Sequence, residues 1–256
     1  MDKKLEVTLE DIGEEMNRLL YLKGSSMDEH ILLALVEKAR TLGGDTAVTR
    51  LAAYNGKASR KNLHTCVWFN KIRTTEAFLD AGSDIEMRDL YDDTILLNSI
   101  KCTHPDMTQM LVSRGADLNA IDRYGFSALH RASGWGQHEI AYLLARCGAS
   151  INAMSGGGKT PIRFAVEIRD KKGFDILCKW GVGLPSVESL SKMRPLFRYS
   201  PDFVAHVAKK NAERARTVRP LEQLCLEVLA RHPDAKQIIW ELPHVLRPGL
   251  GRLLLP

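Results

Sequence analysis

Short apolar runs that end in glycine recur through the middle of the chain. "AFLDAG", "MLVSRG", "LLARCG" and "ILCKWG" close at Gly82, Gly115, Gly148 and Gly181, always at the same interval. Other apolar positions keep the same step: Leu63, Leu96, Leu129 and Ile162 form one column, and Phe78, Leu111, Leu144 and Leu177 another. Small residues recur between them at Cys66, Ser99, Ala132 and Ala165. A fixed period of about 33 residues is the signature of stacked supersecondary units. Such a unit has an apolar face that only a neighbour can bury. The register fails over residues 1–55, where "LEDIGEEMNRLLYL" and "DEHILLALVEKARTL" carry helical apolar spacing and predict a helical cap or degenerate repeat. "SVESLSKMRPLF" and "PDFVAHVAKKNAERA" predict further helices over 186–218, covering the last repeat.

"SGGGKTP", Ser155 to Pro161, imitates a phosphate-binding loop. Such a loop reads G-x-x-x-x-G-K-[ST] after a buried strand, because both glycines let backbone N–H groups wrap the phosphates. Ala153 stands where the first glycine belongs, and a helix-like apolar run precedes the loop instead of a strand. Gly158 and Thr160 lie one period after Gly125 and Ser127, so the stretch is read as a β-turn entering a helix. Gly158 accepts a turn dihedral, Pro161 fits the first helical turn, and Lys159 is expected to be an exposed turn residue.

The in-phase residues resemble the ankyrin-repeat family. The fullest copy is Asp122 to Ala153, with "SALHRA" where the family has T-P-L-H-x-A; "TPIRFA" follows in the next copy, and "TILLNS" and "NLHTC" hold the place in the two before. The resemblance covers residues 56–185. It implies an all-α solenoid of about four recognisable repeats that binds proteins through its turn tips and inner helices. The tips offer Arg88, Leu90, Tyr91, Arg123 and Tyr124, and the inner-helix region Trp135, as candidate substrate-binding residues or as ordinary solvent-facing ones.

From Arg219 the chain changes character. A helix from Pro220 places Leu221, Leu224, Cys225, Val228 and Leu229 on one apolar face. The segment 219–256 resembles a SOCS box, the elongin-binding tail of ubiquitin-ligase adaptors, expected as a short three-helix unit. The resemblance implies Pro220, Leu221, Leu224, Cys225 and Leu229 as elongin-binding residues, and Leu242 and Pro243 as cullin-binding ones. The family's second motif, L-P-φ-P, selects a cullin-5 scaffold; here His244 and Val245 follow Leu242-Pro243, so half of it is missing. Ankyrin repeats before a SOCS box resemble the ankyrin-repeat and SOCS-box family. This implies a non-catalytic adaptor with elongin B, elongin C, a cullin and a protein substrate as partners. The alternative is an ankyrin scaffold whose tail merely caps the stack.

Composition narrows the rest. The 256 residues are 45% hydrophobic and 26% charged, an ordinary globular balance. The charged start "MDKKLEVTLEDIGEEM" is not read as a signal peptide, and no apolar run approaches the roughly 18 residues of a membrane span. Five cysteines without a C-x-x-C pair fit reduced thiols in the cytoplasm, with the nucleus as a second compartment; Cys66 reads as packing rather than redox chemistry. Eight scattered histidines offer no ligand spacing, and no cofactor is expected. The net charge of +5 owes much to the stretch between Ser191 and Arg219. That stretch reads as a solvated helix face or as a site for an acidic partner, and no aromatic platform favours nucleic acid.

Overall fold

Seven-residue inner helices begin at positions that accept helix entry. Thr94 caps one of them, its hydroxyl accepting the Leu97 N–H at 3.3 Å, and Pro161 opens another in the first turn, where its missing N–H costs nothing. The computed structural model describes residues 8–55, 61–180, 202–203 and 205–213. The helices are α1 (Leu9–Lys23), α2 (Glu29–Ala53), α3 (Asn62–Trp68), α4 (Ile72–Asp80), α5 (Ile95–Lys101), α6 (Pro105–Ser113), α7 (Ala128–Gly134), α8 (His138–Arg146), α9 (Pro161–Glu167) and α10 (Lys171–Lys179), with a 3-10 turn at Gly24–Ser26. From α3 onward each inner and outer helix starts one full period after its predecessor. Among the described residues there is no strand, only isolated bridges at Asn55–Lys61, Arg88–Thr94 and Ile121–Ser127. The first repeat therefore has its hairpin base, although its sequence lacks the usual turn residues.

The recurrent glycines end the outer helices. Gly82, Gly115 and Gly148 have φ of +88°, +85° and +92°. At the last, the Ala149 N–H reaches the Leu144 carbonyl at 3.0 Å and the Gly148 N–H reaches Ala145 at 3.3 Å, which is the Schellman pairing. The same paired bonds close the inner helices at Asn70, Thr103, Gly136 and Arg169, all left-handed, three of them without the help of glycine.

Both apolar columns are fully buried. Leu63, Leu96, Leu129 and Ile162 lie between inner helices, and Phe78, Leu111, Leu144 and Leu177 along the outer row. Cys66 is buried too, and burial pushes its thiol up, away from thiolate chemistry.

A polar column runs beside the apolar ones, at the residue before each outer helix. Lys71 Nζ donates to the Ser25 and Met27 carbonyls at 2.9 and 2.6 Å. His104 Nε2 donates to the Trp68 carbonyl at 3.1 Å, Gln137 Nε2 to Ile100 and Thr103 at 2.8 Å, and His138 Nε2 meets Asp170 at 2.7 Å. Each ties one repeat to the unit before it, at a loop, the end of an inner helix or the start of an outer one. Lys71 finds that loop between α1 and α2, and α1 packs on α3 while α2 packs on α4. The first two helices thus stand as an inner and outer pair outside the register. The outward face of α1 carries Glu10, Asp11, Glu14 and Arg18, a polar end for the stack. Helix α2 bends at Gly43 and Gly44, whose backbone leaves helical dihedrals.

The chain divides into units Met1–Gly183 and Leu184–Pro256. In the second, residues 202–203 and 205–213 are helical, with Phe203 and Val207 buried. The remainder of the expected 186–218 cap, the SOCS-box segment 219–256 and its residues Pro220, Leu221, Leu224, Cys225, Leu229, Leu242 and Pro243 lie outside the described residues. Among the described residues no helix is long and apolar enough to cross a membrane.

Candidate protein-interaction surface

Among the described residues, three hairpin tips are each built by one side chain folding back on its own backbone. Asp89 Oδ1 accepts the Tyr91 and Asp93 N–H groups at 2.8 and 3.1 Å. Asp122 Oδ1 accepts those of Tyr124 and Phe126 at 2.8 and 3.0 Å. Ser155, one period further on, does the same for Lys159 with its hydroxyl at 3.2 Å. These Asx-type turns need a left-handed residue near the end, supplied by Asp92, Gly125 and Gly158. Burial pushes the Asp122 carboxyl up, but the Arg131 guanidinium and the two backbone donors outweigh that and hold it below the usual carboxylate range.

Neighbouring tips are cross-linked. Arg123 crosses to the previous tip, donating to the Tyr91 carbonyl at 3.0 Å and to Leu90 at 2.6 Å, with its guanidinium 4.8 Å from the Tyr91 ring centre. Arg88 donates to the carbonyls of Asp92 and Ile121, both at 2.8 Å. The Gly156 N–H reaches the Tyr124 carbonyl at 3.2 Å. Three tips are therefore one braced ledge.

The ledge exposes apolar side chains. Leu90, Tyr91 and Tyr124 stand out from it as the sequence suggested, joined by Ile121 at 50% and Met154 at 72% exposure. Sequence reasoning misses those two, although they share one phase of the period with Arg88. Arg88 and Arg123 lie on the same ledge, where their guanidinium groups are engaged in the braces.

Trp135 stands apart from the tips. It caps the far end of α7, about 10 Å of helix away at 1.5 Å per residue. Arg131 spans the gap, 4.6 Å from the Phe126 ring centre and 5.4 Å from that of Trp135, while its other contact is an ion pair with the buried Asp122. Phe126 meets Phe164 edge to face at 5.3 Å. Phe126, Arg131 and Phe164 thus continue the surface from the tip across α7 to α9. Arg131 and Phe164 share one phase, two positions beyond a buried column residue, where the earlier repeat buries Asn98. Trp135 also walls a cleft of about 500 Å³ shared with Lys101, Gln137, His138 and Lys172.

Lys159, expected as an exposed turn residue, sits in the turn but is half-buried. Its ammonium pairs with Glu167 at 2.9 Å and lies 5.4 Å from the Phe164 ring centre. Two repeats earlier the same two positions hold Asp93 and Lys101, paired with reversed charge. His130 joins repeats below this surface: Ser127 N–H donates to its Nδ1 at 3.1 Å, and its Nε2 donates to the Lys159 carbonyl at 2.9 Å. No group of acidic, histidine or cysteine side chains suited to a metal occurs among the described residues.

Residues 63–155 match the family described as ankyrin repeats (3 copies). The chain is similar to a putative palmitoyltransferase ZDHHC13 of Danio rerio, 26% identical over 138 residues that make up 53% of this chain and 20% of that protein. It is similar to the B-cell lymphoma 3 protein homolog of Mus musculus, 30% identical over 147 residues, 57% of this chain and 31% of that one. Among solved structures, the ankyrin repeat domain of Bcl-3 matches 50% of this chain and 55% of its own at 29% identity, with a TM-score of 0.47. The chain spans less than a third of the length of these two curated relatives. Residues 63–155 carry ankyrin repeats.

Proposed function

We propose that this chain is a substrate-recognition adaptor of a cullin-RING ubiquitin ligase. The observation that carries the recognition half is the braced ledge, which presents exposed tyrosine, leucine, isoleucine and methionine side chains on fixed backbone. Aromatic residues on a rigid support lose little freedom when a partner covers them. The ligase half rests on the tail sequence. Pro220, Leu221, Leu224, Cys225 and Leu229 form the face for elongin C, which brings elongin B, and Leu242 and Pro243 contact the cullin, cullin-5 by the resemblance. The chain performs no covalent chemistry and needs no cofactor. It raises the effective concentration of a bound substrate near the ubiquitin-loaded enzyme. The cytoplasm, and with it the nucleus, is the compartment this reading implies.

Affinity purification of the full chain from cell lysate, probed for elongins B and C, tests the reading. Both elongins are expected to copurify. A folded chain that brings down protein partners without elongins overturns the ligase half and leaves an ankyrin scaffold.

A further inference from the structure

We infer that the ledge receives an amphipathic helix of the partner protein, gripped by side chains alone, with Arg88 and Arg123 serving as struts. This rests on the reading of the tips as a protein-binding surface. Five carbonyls along the tips already have donors: Leu90 and Tyr91 from Arg123, Asp92 and Ile121 from Arg88, and Tyr124 from Gly156. An extended segment laid across these five carbonyls would set its own N–H groups against oxygens that already hold a donor and would have to be shared, and poorly paired backbone groups are costly. A helix satisfies its backbone internally and brings only side chains.

The spacing agrees. Stacked helices of adjacent repeats lie about 8–10 Å apart. Seven residues of helix rise about 10.5 Å, so side chains one heptad apart on a partner helix meet successive tips. Leu90 with Tyr91, Ile121 with Tyr124, and Met154 then form three successive apolar stations. Methionine and tyrosine suit such a seat, the first by its adaptable shape and the second by its amphipathic ring. Arg123 is exposed, and its charge meets carbonyls and the Tyr91 ring, so an acidic residue on the helix flank completes the match.

Two fluorescent 18-residue peptides of identical composition serve as probes of the full chain by fluorescence anisotropy. In one, leucines recur at helical three- and four-residue steps with glutamates on the flanks; in the other, leucine alternates with polar residues. The helical pattern is expected to bind at least tenfold tighter, to gain helical circular dichroism on binding, and to lose at least tenfold on Tyr124→Ala with Met154→Ala. Equal or tighter binding of the alternating peptide, no binding of either, or indifference to the double change overturns the inference. Elongin copurification does not depend on these outcomes, so the adaptor reading stands or falls separately. Arg123→Ala is expected to quicken hydrogen exchange over residues 90–93 and to weaken the helical peptide, with Arg123→Lys failing to restore either. Weaker binding with unchanged exchange would make Arg123 a partner contact and remove its role as a strut.

Discussion

Gly125 and Gly156 meet backbone to backbone at the junction of two tips: a Cβ placed on Gly125 would lie 2.5 Å from the Gly156 nitrogen. A Cβ on Gly156 would in turn lie 2.7 Å from the Tyr124 carbonyl oxygen. The glycine run of "SGGGKTP" therefore serves close approach between repeats and a tight turn at Gly158. Gly156→Ala must part the tips and break the bond to Tyr124, at a cost of about 1–3 kcal/mol, as for other forced overpacking. Gly157, with nothing within 4 Å of an added Cβ, is the internal control. Its alanine variant is expected within about 0.5 kcal/mol of the native chain. Urea midpoints compare the two; equal midpoints would mean that the tips do not touch.

Leu129 is completely buried in the inner column. Leu129→Ala is expected to cost about 2–5 kcal/mol, the range for a leucine replaced by a cavity. Because each repeat leans on its neighbours, hydrogen exchange should quicken in the repeats on both sides. Loss of protection confined to one helix would speak against a continuous core.

Arg169 holds φ of +58° at the end of α9 with its side chain in solvent. A side chain pays for that conformation, and glycine does not. Arg169→Gly is expected to stabilise the chain by about 0.5–1 kcal/mol, after allowance for glycine's freer unfolded state. A lower melting temperature would show that Arg169 contributes something that outweighs its backbone strain.

The left-handed positions mark where the sequence stops being legible. Repeat length, helix pairing and both apolar columns can be read directly, because burial demands the same kind of residue once in every period. The polar column cannot: Lys71, His104, Gln137 and Asp170 do one job with four chemistries, so no residue type recurs. Asn70, Thr103 and Arg169 hide in the same way, since the Schellman bonds impose the conformation without requiring glycine. On the ledge, exposed residues such as Tyr91 and Tyr124 were legible by type. The braces were not, because an arginine that reaches backbone carbonyls of the next repeat looks in sequence like any surface arginine. Helices α1 and α2 pack on α3 and α4 outside the register, yet the polar column reaches them too, through Lys71 and the Ser25 and Met27 carbonyls.

His130 should give the fold a mild acid sensitivity. Burial lowers its pKa below the ordinary histidine value, and its Nδ1 must stay unprotonated to accept from Ser127. The unfolded chain takes up this proton near the free value of about 6.5 while the folded chain still resists it. The stabilising contribution is complete above that pH and is lost as pH falls toward the folded pKa, at no more than about 1.4 kcal/mol per pH unit. The stability difference between the native chain and His130→Gln, followed by urea unfolding from pH 8 to pH 5, should shrink as pH falls. A constant difference would mean that His130 titrates alike in both states.

The tail separates the adaptor from the scaffold most sharply. On the proposed reading, Leu221 enters an apolar pocket of elongin C with Cys225 and Leu229 beside it. Truncating a central apolar anchor often costs at least about 2 kcal/mol, roughly 30-fold in affinity. Leu221→Ala with Cys225→Ala is therefore expected to abolish copurification of the elongins while leaving the melting of the ankyrin repeats unchanged. Without its partner the same face is an apolar patch, so the full chain should express poorly alone and gain solubility when elongins B and C are coexpressed. Changing Leu242 and Pro243 should spare elongin binding and weaken cullin recruitment only. A double variant that instead melts the repeats, in a chain that never bound elongin, would make the tail a cap of the stack; the apolar face would then owe its composition to intramolecular burial.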